Sequence, residues 1–270
     1  MTDWQPVLMD ASRRVQKVAD AAFRGRKRSR ILGTGASGDK TLFVDRRAET
    51  EIIDTLSNAD DIRILSEEKG EAGPKDARYL AVLDPIDGSS NFSRGIPFYC
   101  TSICIIDGRS FRDSRYALVR NLVNGDVYYA ELGRGATKNG RRIRTSRVAK
   151  LPDAIGGVDI SRTTPEVVEG LAPLLAALKR QVHFGANALE LCLVADGVID
   201  TFVDVRGKMR VTDLAAAYLV AREAGAFVTT ASGEELNPPL KLTARFDYVA
   251  SANAGLHSEL LSRLGAFQVT

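Results

Sequence analysis

The 270-residue sequence predicts an α/β (α+β) protein built of packed layers. Three observations predict it. Strand-like segments are grouped between Ile62 and Glu131, strand-like and helical segments alternate after Leu151, and an apolar stripe at helical spacing precedes both. Grouped strands followed by alternation are the pattern of helices laid on sheets.

Taken in order, Leu8, Ala11, Val15, Val18 and Ala22 fall at spacings of 3, 4, 3 and 4, which predicts a helix over residues 3–24. The glycine-rich segment 33–38 separates it from a second helix over 45–56. Residues 62–65 and 79–83 read as short buried strands, and 98–106, 116–122 and 127–131 as further strands. Asp107-Gly108 and Asn124-Gly125-Asp126 supply the turn chemistry between them. Leu151-Pro152-Asp153 reads as a hinge between an α+β half, 1–150, and an α/β half, 151–270. In the second half, helices are predicted over 165–178, 186–195, 212–224 and 254–264, and strands over 199–205, 227–230 and 248–251.

Composition narrows the chemistry. No apolar run approaches the roughly 18 residues of a membrane helix, and residues 1–10 lack the basic-then-apolar layout of a signal peptide, so a cytoplasmic protein without membrane contact is expected. The three cysteines, Cys100, Cys104 and Cys192, form no CxxC pair and read as small buried hydrophobes. With only two histidines, His183 and His257, a multi-histidine zinc site cannot be assembled, so a bound metal would be a hard cation held by oxygen. The run Arg24 to Arg30 could bind an anion or nucleic acid; it reads better as a solvated helix end, because no aromatic residue interleaves with its cations. Gly33-Thr34-Gly35-Ala36-Ser37-Gly38 fits GxGxxG but lacks the helix that should follow directly, so a loop is expected.

The informative segment is Tyr79-Leu80-Ala81-Val82-Leu83-Asp84-Pro85-Ile86-Asp87-Gly88-Ser89-Ser90-Asn91-Phe92. An apolar strand runs into Asp84 and is expected to stop at Pro85. Asp87 follows across a tight turn, and a helix opens after Gly88. Two acids at a strand end can bridge hard cations, and free N–H groups at a helix start can hold phosphate. The alternative is that both aspartates only cap a turn. Glu67 and Glu68 close the strand from Ile62, and Thr212 is expected to cap a helix carrying Asp213 in its first turn. Each also has a plainer reading, a solvated loop for the glutamates and a dipole-favoured first-turn acid for Asp213.

Asp45, Ser66-Glu67-Glu68, Asp84-Pro85-Ile86-Asp87-Gly88-Ser89-Ser90 and Thr212-Asp213 with its alanine run occur in one order. In that order the sequence resembles the inositol monophosphatase and fructose-1,6-bisphosphatase superfamily, and Gly88-Ser89-Ser90-Asn91 resembles its archaeal-type dual-activity enzymes. The resemblance implies a layered α-β-α-β-α fold, a homodimer, and Mg2+-dependent, lithium-sensitive hydrolysis of phosphorylated sugars or polyols. It implies two or three Mg2+ ions. Glu67, Asp84 and the Ile86 carbonyl resemble the ligands of the first, Asp84, Asp87 and Asp213 those of the second, and Glu67 also touches a weaker third. Gly88, Ser89 and Ser90 resemble phosphate-binding positions. Asp45 would orient the Ser89 hydroxyl, which positions the attacking water, with residues 33–43 as the mobile segment completing the site. Arg206 stands where relatives specialised for inositol phosphate carry glutamate. With Lys208 and Arg210 nearby it favours a second phosphate, as in fructose 1,6-bisphosphate, the alternative being an exposed basic turn around Gly207. An adenosine 3′,5′-bisphosphate phosphatase is the rival built on the same motifs.

Overall fold

Residues 2–25, 29–36, 38 and 40–264 are described by the computed structural model. The central residues of the basic run 24–30, the glycine-segment residue Ser37 and its neighbour Asp39 lie outside the described set. α1 (Trp4–Arg24) opens the chain, capped by Asp3, whose carboxylate accepts the Gln5 N–H at 3.3 Å. Its buried stripe is Trp4, Leu8, Ala11, Val15, Ala19 and Ala22. β1 (Ile31–Thr34) and β2 (Lys40–Leu42) pair antiparallel, and α2 (Phe43–Ser57) follows at once. The loop expected at 33–38 therefore begins inside a hairpin, with Gly33 opposite Thr41 and Thr34 opposite Lys40. Pairing between the arms overrides the glycines, whose local freedom permits a strand as readily as a loop.

β3 (Ile62–Ser66), β4 (Gly70–Ala72), β5 (Tyr79–Asp87), β6 (Cys100–Asp107), β7 (Ser114–Asn121), β8 (Val127–Glu131), β9 (Gly135–Lys138) and β10 (Arg141–Arg142) form one sheet, interrupted in sequence by the short α3 (Ser89–Arg94). Its order is β10-β9-β8-β7-β6-β5-β3-β4, with β3 and β5 parallel and every other pair antiparallel. β5 is buried along its whole length. Tyr79, Ala81 and Leu83 face the α1–α2 layer, while Leu80 and Val82 face the opposite core. That two-sided burial explains why the strand reads as a continuous apolar run. β5 does not stop at Pro85. It continues to Asp87 through a register shift between Asp84 and Asp87 against β6, a bulge of the kind that tolerates proline.

The rest of the chain supplies β11 (Ile155–Val158), α4 (Pro165–Ala177), β12 (Arg180–Val182), α5 (Asn187–Ala195), β13 (Thr201–Met209), α6 (Val211–Ala224), β14 (Phe227–Thr229), β15 (Phe246–Ser251) and α7 (Ala254–Leu264). Its sheet has the order β12-β11-β13-β15-β14. α5 and α6 share one core with both sheets, and α4 and α7 cover the far face of the smaller one. The layers are thus α1 and α2, large sheet, α5 and α6, small sheet, α4 and α7, the expected α-β-α-β-α. Residues 151–153, read as a hinge, form a 3-10 turn with Leu151 buried. Among the described residues no helix is long and apolar enough to cross a membrane.

Candidate active site

Because β3 and β5 are parallel neighbours, they release their last residues side by side. Glu67 leaves β3 there, Asp84 and Asp87 sit at the bulged end of β5, and α6 delivers Asp213 from the central helix layer. All four are buried. Carboxylate oxygens of Glu67, Asp84 and Asp213 lie within 4.8 Å of one another. Three of the expected acids are thus brought together from positions as far apart in the chain as 67 and 213.

Crowding like charges out of water shows in their protonation. Burial first, then Glu67, Asp213 and Asp87, holds the Asp84 carboxyl well above the usual range. Burial and then Asp213 push Asp87 up to about 8, against the Ala188 N–H, which Asp87 Oδ2 accepts at 2.8 Å. The Cys100 thiol also donates to Asp87, at 3.6 Å. These are hard oxygen donors that need positive charge, which fits a divalent cation and not a soft metal.

Asp45 lies near the start of α2, where one carboxylate oxygen accepts the Leu42 N–H at 2.9 Å. The other is 3.5 Å from Ser89 Oγ. Ser89 currently donates to the Ile86 carbonyl at 2.8 Å, so hydroxyl, carbonyl and Asp45 form one cluster. Burial, followed by Glu68 and Glu67, raises the Asp45 carboxyl well above its ordinary value, against the Leu42 N–H. Gly88 occupies the left-handed region at φ 88° and starts α3. A Cβ there would meet Ala186 Cβ and the Phe98 carbonyl at 3.1 Å, so glycine is required at this close approach. Ser90 opens the same short helix, on the turn that carries Ser89.

Residues outside the sequence reading complete the site. Glu49, buried on α2, accepts from Ser66 Oγ and from the Lys69 N–H, fixing the turn that carries Glu67 and Glu68. Thr41 donates to Glu68, and Ala36 N–H to the Glu68 carbonyl, which ties the β1–β2 hairpin to that turn. Glu190, fully buried, accepts from the Phe184 and Gly185 N–H groups at 2.9 and 3.1 Å and anchors the segment that ends in Ala188. The helix carrying Asp213 begins at Val211, so Thr212 is not its cap; the Thr212 hydroxyl instead donates to Asp213 Oδ1 at 2.9 Å.

Arg206 was expected to meet a second phosphate with Arg210 nearby; the two arginines instead bind different carboxylates. Arg206 is neither an exposed turn residue nor free to meet a ligand. Its Nε and Nη2 bind Asp204 at 2.8 and 2.6 Å, Nη2 also reaches Asp159 at 2.5 Å, and Nη1 donates to the Ser161 carbonyl at 2.9 Å. Arg210 instead enters the carboxylate cluster, with Nη1 2.6 Å from Glu67 Oε1 and Nε 3.0 Å from Asp213 Oδ2. Burial opposes its charge, but Asp213, Glu67 and Asp84 outweigh that and raise its pKa. The signal for it was its place three residues before Asp213, within reach of the same helix start. A cavity of about 150 Å³ lies at the opposite ends of β3 and β5, lined by Arg63, Lys75, Arg78 and Arg109 among others, away from the carboxylates.

The family model described as the inositol monophosphatase family matches residues 1–266. The chain belongs to the inositol monophosphatase family. Among relatives, the fructose-1,6-bisphosphatase/inositol-1-monophosphatase of Archaeoglobus fulgidus is 37% identical over 246 residues, covering 90% of this chain and 91% of that one. The bifunctional NADP phosphatase/NAD kinase of Methanococcus maripaludis is 30% identical over 97% of this chain, which spans about half, 49%, of that longer protein. The crystal structure of an inositol monophosphatase–fructose 1,6-bisphosphatase superposes with a TM-score of 0.86 at 30% identity, over 97% of this chain and 100% of that one. Matching relatives include proteins named as inositol-1-monophosphatase and fructose-1,6-bisphosphatase, which hydrolyse phosphate monoesters, and this chain is a hydrolase of that class.

Proposed function

We propose that the chain is a Mg2+-dependent phosphatase of a phosphorylated sugar or polyol, acting on inositol 1-phosphate and fructose 1,6-bisphosphate. The observation that carries this reading is the buried trio Glu67, Asp84 and Asp213, a site of oxygen donors alone whose ligand atoms lie within 4.8 Å of one another. Two or three Mg2+ ions would be held, one by Glu67, Asp84 and the Ile86 carbonyl and another by Asp84, Asp87 and Asp213. When bound, such ions supply Lewis acidity, lowering the pKa of water and neutralising phosphoryl charge.

The remaining work falls to the chain itself. Phosphoryl transfer asks mainly for positioning and charge neutralisation. The first N–H groups of α3 have no acceptor within the helix, so Ser89 and Ser90 offer donors to phosphate oxygens beside the carboxylates. Ser89 Oγ stands between the Ile86 carbonyl and Asp45, so turning the hydroxyl redirects its proton from one to the other. Asp45, with its raised pKa, is suited to accept that proton as Ser89 takes one from the attacking water. No protein nucleophile is needed.

Arg206 is withdrawn from the substrate site, because its three nitrogens are already committed. A homodimer, a cytoplasmic location and lithium inhibition belong to the same proposal. The likeness to the bifunctional Methanococcus maripaludis protein supports a second reading, removal of phosphate from a nucleotide such as NADP. Phosphate release should be measured with Mg2+ on inositol 1-phosphate, fructose 1,6-bisphosphate, NADP and adenosine 3′,5′-bisphosphate. The first two should be hydrolysed, with loss in chelator and recovery on adding Mg2+. Turnover of NADP alone would install the second reading, and hydrolysis that survives chelation would sink the metal reading.

A further inference from the structure

We infer that Arg210 is a tethered cation that holds the metal site closed: in the metal-free protein its guanidinium neutralises Glu67 and Asp213, and a divalent cation must displace it to bind. This rests on the metal reading above and goes a step beyond it. Two of the three carboxylates that face one another are bridged by this one side chain, at 2.6 Å to Glu67 Oε1 and 3.0 Å to Asp213 Oδ2. The other Asp213 oxygen accepts from the Thr212 hydroxyl at 2.9 Å, so both oxygens of that carboxylate are engaged.

Three physical points make this a competition. A small divalent ion needs carboxylate oxygens at about 2.0–2.1 Å in near-octahedral array, so carboxylates turned toward a guanidinium must be reoriented to ligate it. Guanidinium and ion also repel across a poorly solvated pocket. And the arginine cannot escape by losing its proton, since a guanidinium stays charged in proteins. A lysine could be neutralised here; an arginine cannot.

The position of Arg210 suits it to move. It is the N-cap of α6, outside the helix proper, three residues before Asp213. Its side chain is 16% exposed, whereas the Arg206 side chain, bound to Asp204 and Asp159, is 6% exposed. Rotation about its own side-chain bonds can release it while α6 and Asp213 stay put. The consequence is a lower apparent affinity for Mg2+ than the carboxylates alone would give, scaled by the fraction of molecules in which the arginine is unseated. In exchange, the metal-free protein does not carry an uncompensated buried cluster of acids.

The test compares wild type, Arg210→Gln and Arg210→Lys after stripping with chelator. Mg2+ affinity is measured calorimetrically at pH 8 or above, where proton competition is least, and melting temperature is read with and without Mg2+. Arg210→Gln should melt lower without metal, gain more on adding Mg2+, and bind Mg2+ about 10-fold or more tighter, tenfold being the effect of losing one modest competing interaction. Arg210→Lys should fall between. In wild type, the Arg210 Nε–H resonance, assigned by through-bond connectivity along its own side chain, should exchange faster with water once Mg2+ saturates. Equal or weaker Mg2+ binding by Arg210→Gln would overturn the inference and make Arg210 a support for the ligands. So would an Nε–H whose exchange is unmoved by Mg2+, a readout that stands even if the variants fail to fold. If wild type shows no Mg2+ binding by either method, the metal reading itself falls and this inference with it.

Discussion

Asp87 is the residue at which the cost of this site is most visible. Burial and Asp213 disfavour its ionised form until its pKa reaches about 8. Replacing it with asparagine removes that penalty and keeps the shape, so metal-free Asp87→Asn should melt no lower than wild type while losing most of its Mg2+-induced stabilisation. Turnover should fall on the order of 100-fold or more, since a charged ligand is lost, and Asp213→Asn should fall likewise. Near wild-type rates at limiting Mg2+ in either variant would remove that residue from the ligand set. His183 supplies the pH dependence. Its ring nitrogens lie 3.3 Å from Glu190 Oε2, 3.4 Å from Asp159 Oδ1 and 3.2 Å from Ser161 Oγ. Burial would lower its pKa and Arg206 lowers it too, but Glu190 and Asp159 outweigh them and the net shift is upward. A histidine raised on folding adds stability that is complete below its unfolded pKa, about 6.5, and is lost as pH rises through the higher folded value. Wild type should therefore lose more stability than His183→Gln between about pH 6 and pH 8, measured by denaturant midpoint; parallel profiles would show that the imidazole carries no charge there.

At the scale of elements, long periodic segments were legible and short paired ones were not. The stripe of α1 and the alanine-rich α6 declare themselves, because one buries a single face and the other is buried nearly all round between two sheets. β1, β2, β4, β9, β10, β11 and β12 were missed: they are two to four residues long, or glycine-rich as in Ile155-Gly156-Gly157-Val158, and exist only through their neighbours. The same limit hid the bulge that carries β5 past Pro85, since a register shift belongs to a pair of strands and not to one. The acids of the site were legible as types at strand ends and helix starts; the arginine that joins them was signalled only by its place three residues before Asp213. Two substitutions distinguish the helix environments. Leu8→Ala on α1 leaves a cavity under one face and should cost about 2–5 kcal/mol. Ala216→Leu on α6 has no open side to expand into and should cost about 1–3 kcal/mol by overpacking. A neutral Ala216→Leu in urea denaturation would mean the central layer is looser than its burial implies.

Across the whole molecule, the two halves suggested by the sequence meet at α5 and α6. Those helices belong to the second half in sequence, yet they share a core with Leu80, Val82, Cys104, Ala117, Val119 and Tyr128 of the large sheet as well as with Phe202, Tyr248 and Ala250 of the small one. The active site follows the same seam: Glu67, Asp84 and Asp87 come from one side of residue 151 and Asp213 from the other. Separating the halves would expose the central helix layer on one side and split the carboxylate cluster. Neither half then retains a closed core, so unfolding should be a single cooperative event, as in a domain with one continuous interior. The sequence offers a probe, since Trp4 is the only tryptophan and is fully buried in the outermost layer, on α1. Its fluorescence reports the layer farthest from α4 and α7, whereas far-ultraviolet circular dichroism reports all helices and sheets together. In metal-free buffer the two denaturation curves should coincide in midpoint and slope. If Trp4 becomes exposed at a lower denaturant concentration than that at which the bulk helix signal is lost, residues 1–150 form a unit that melts separately, and the shared core around α6 does not couple the halves.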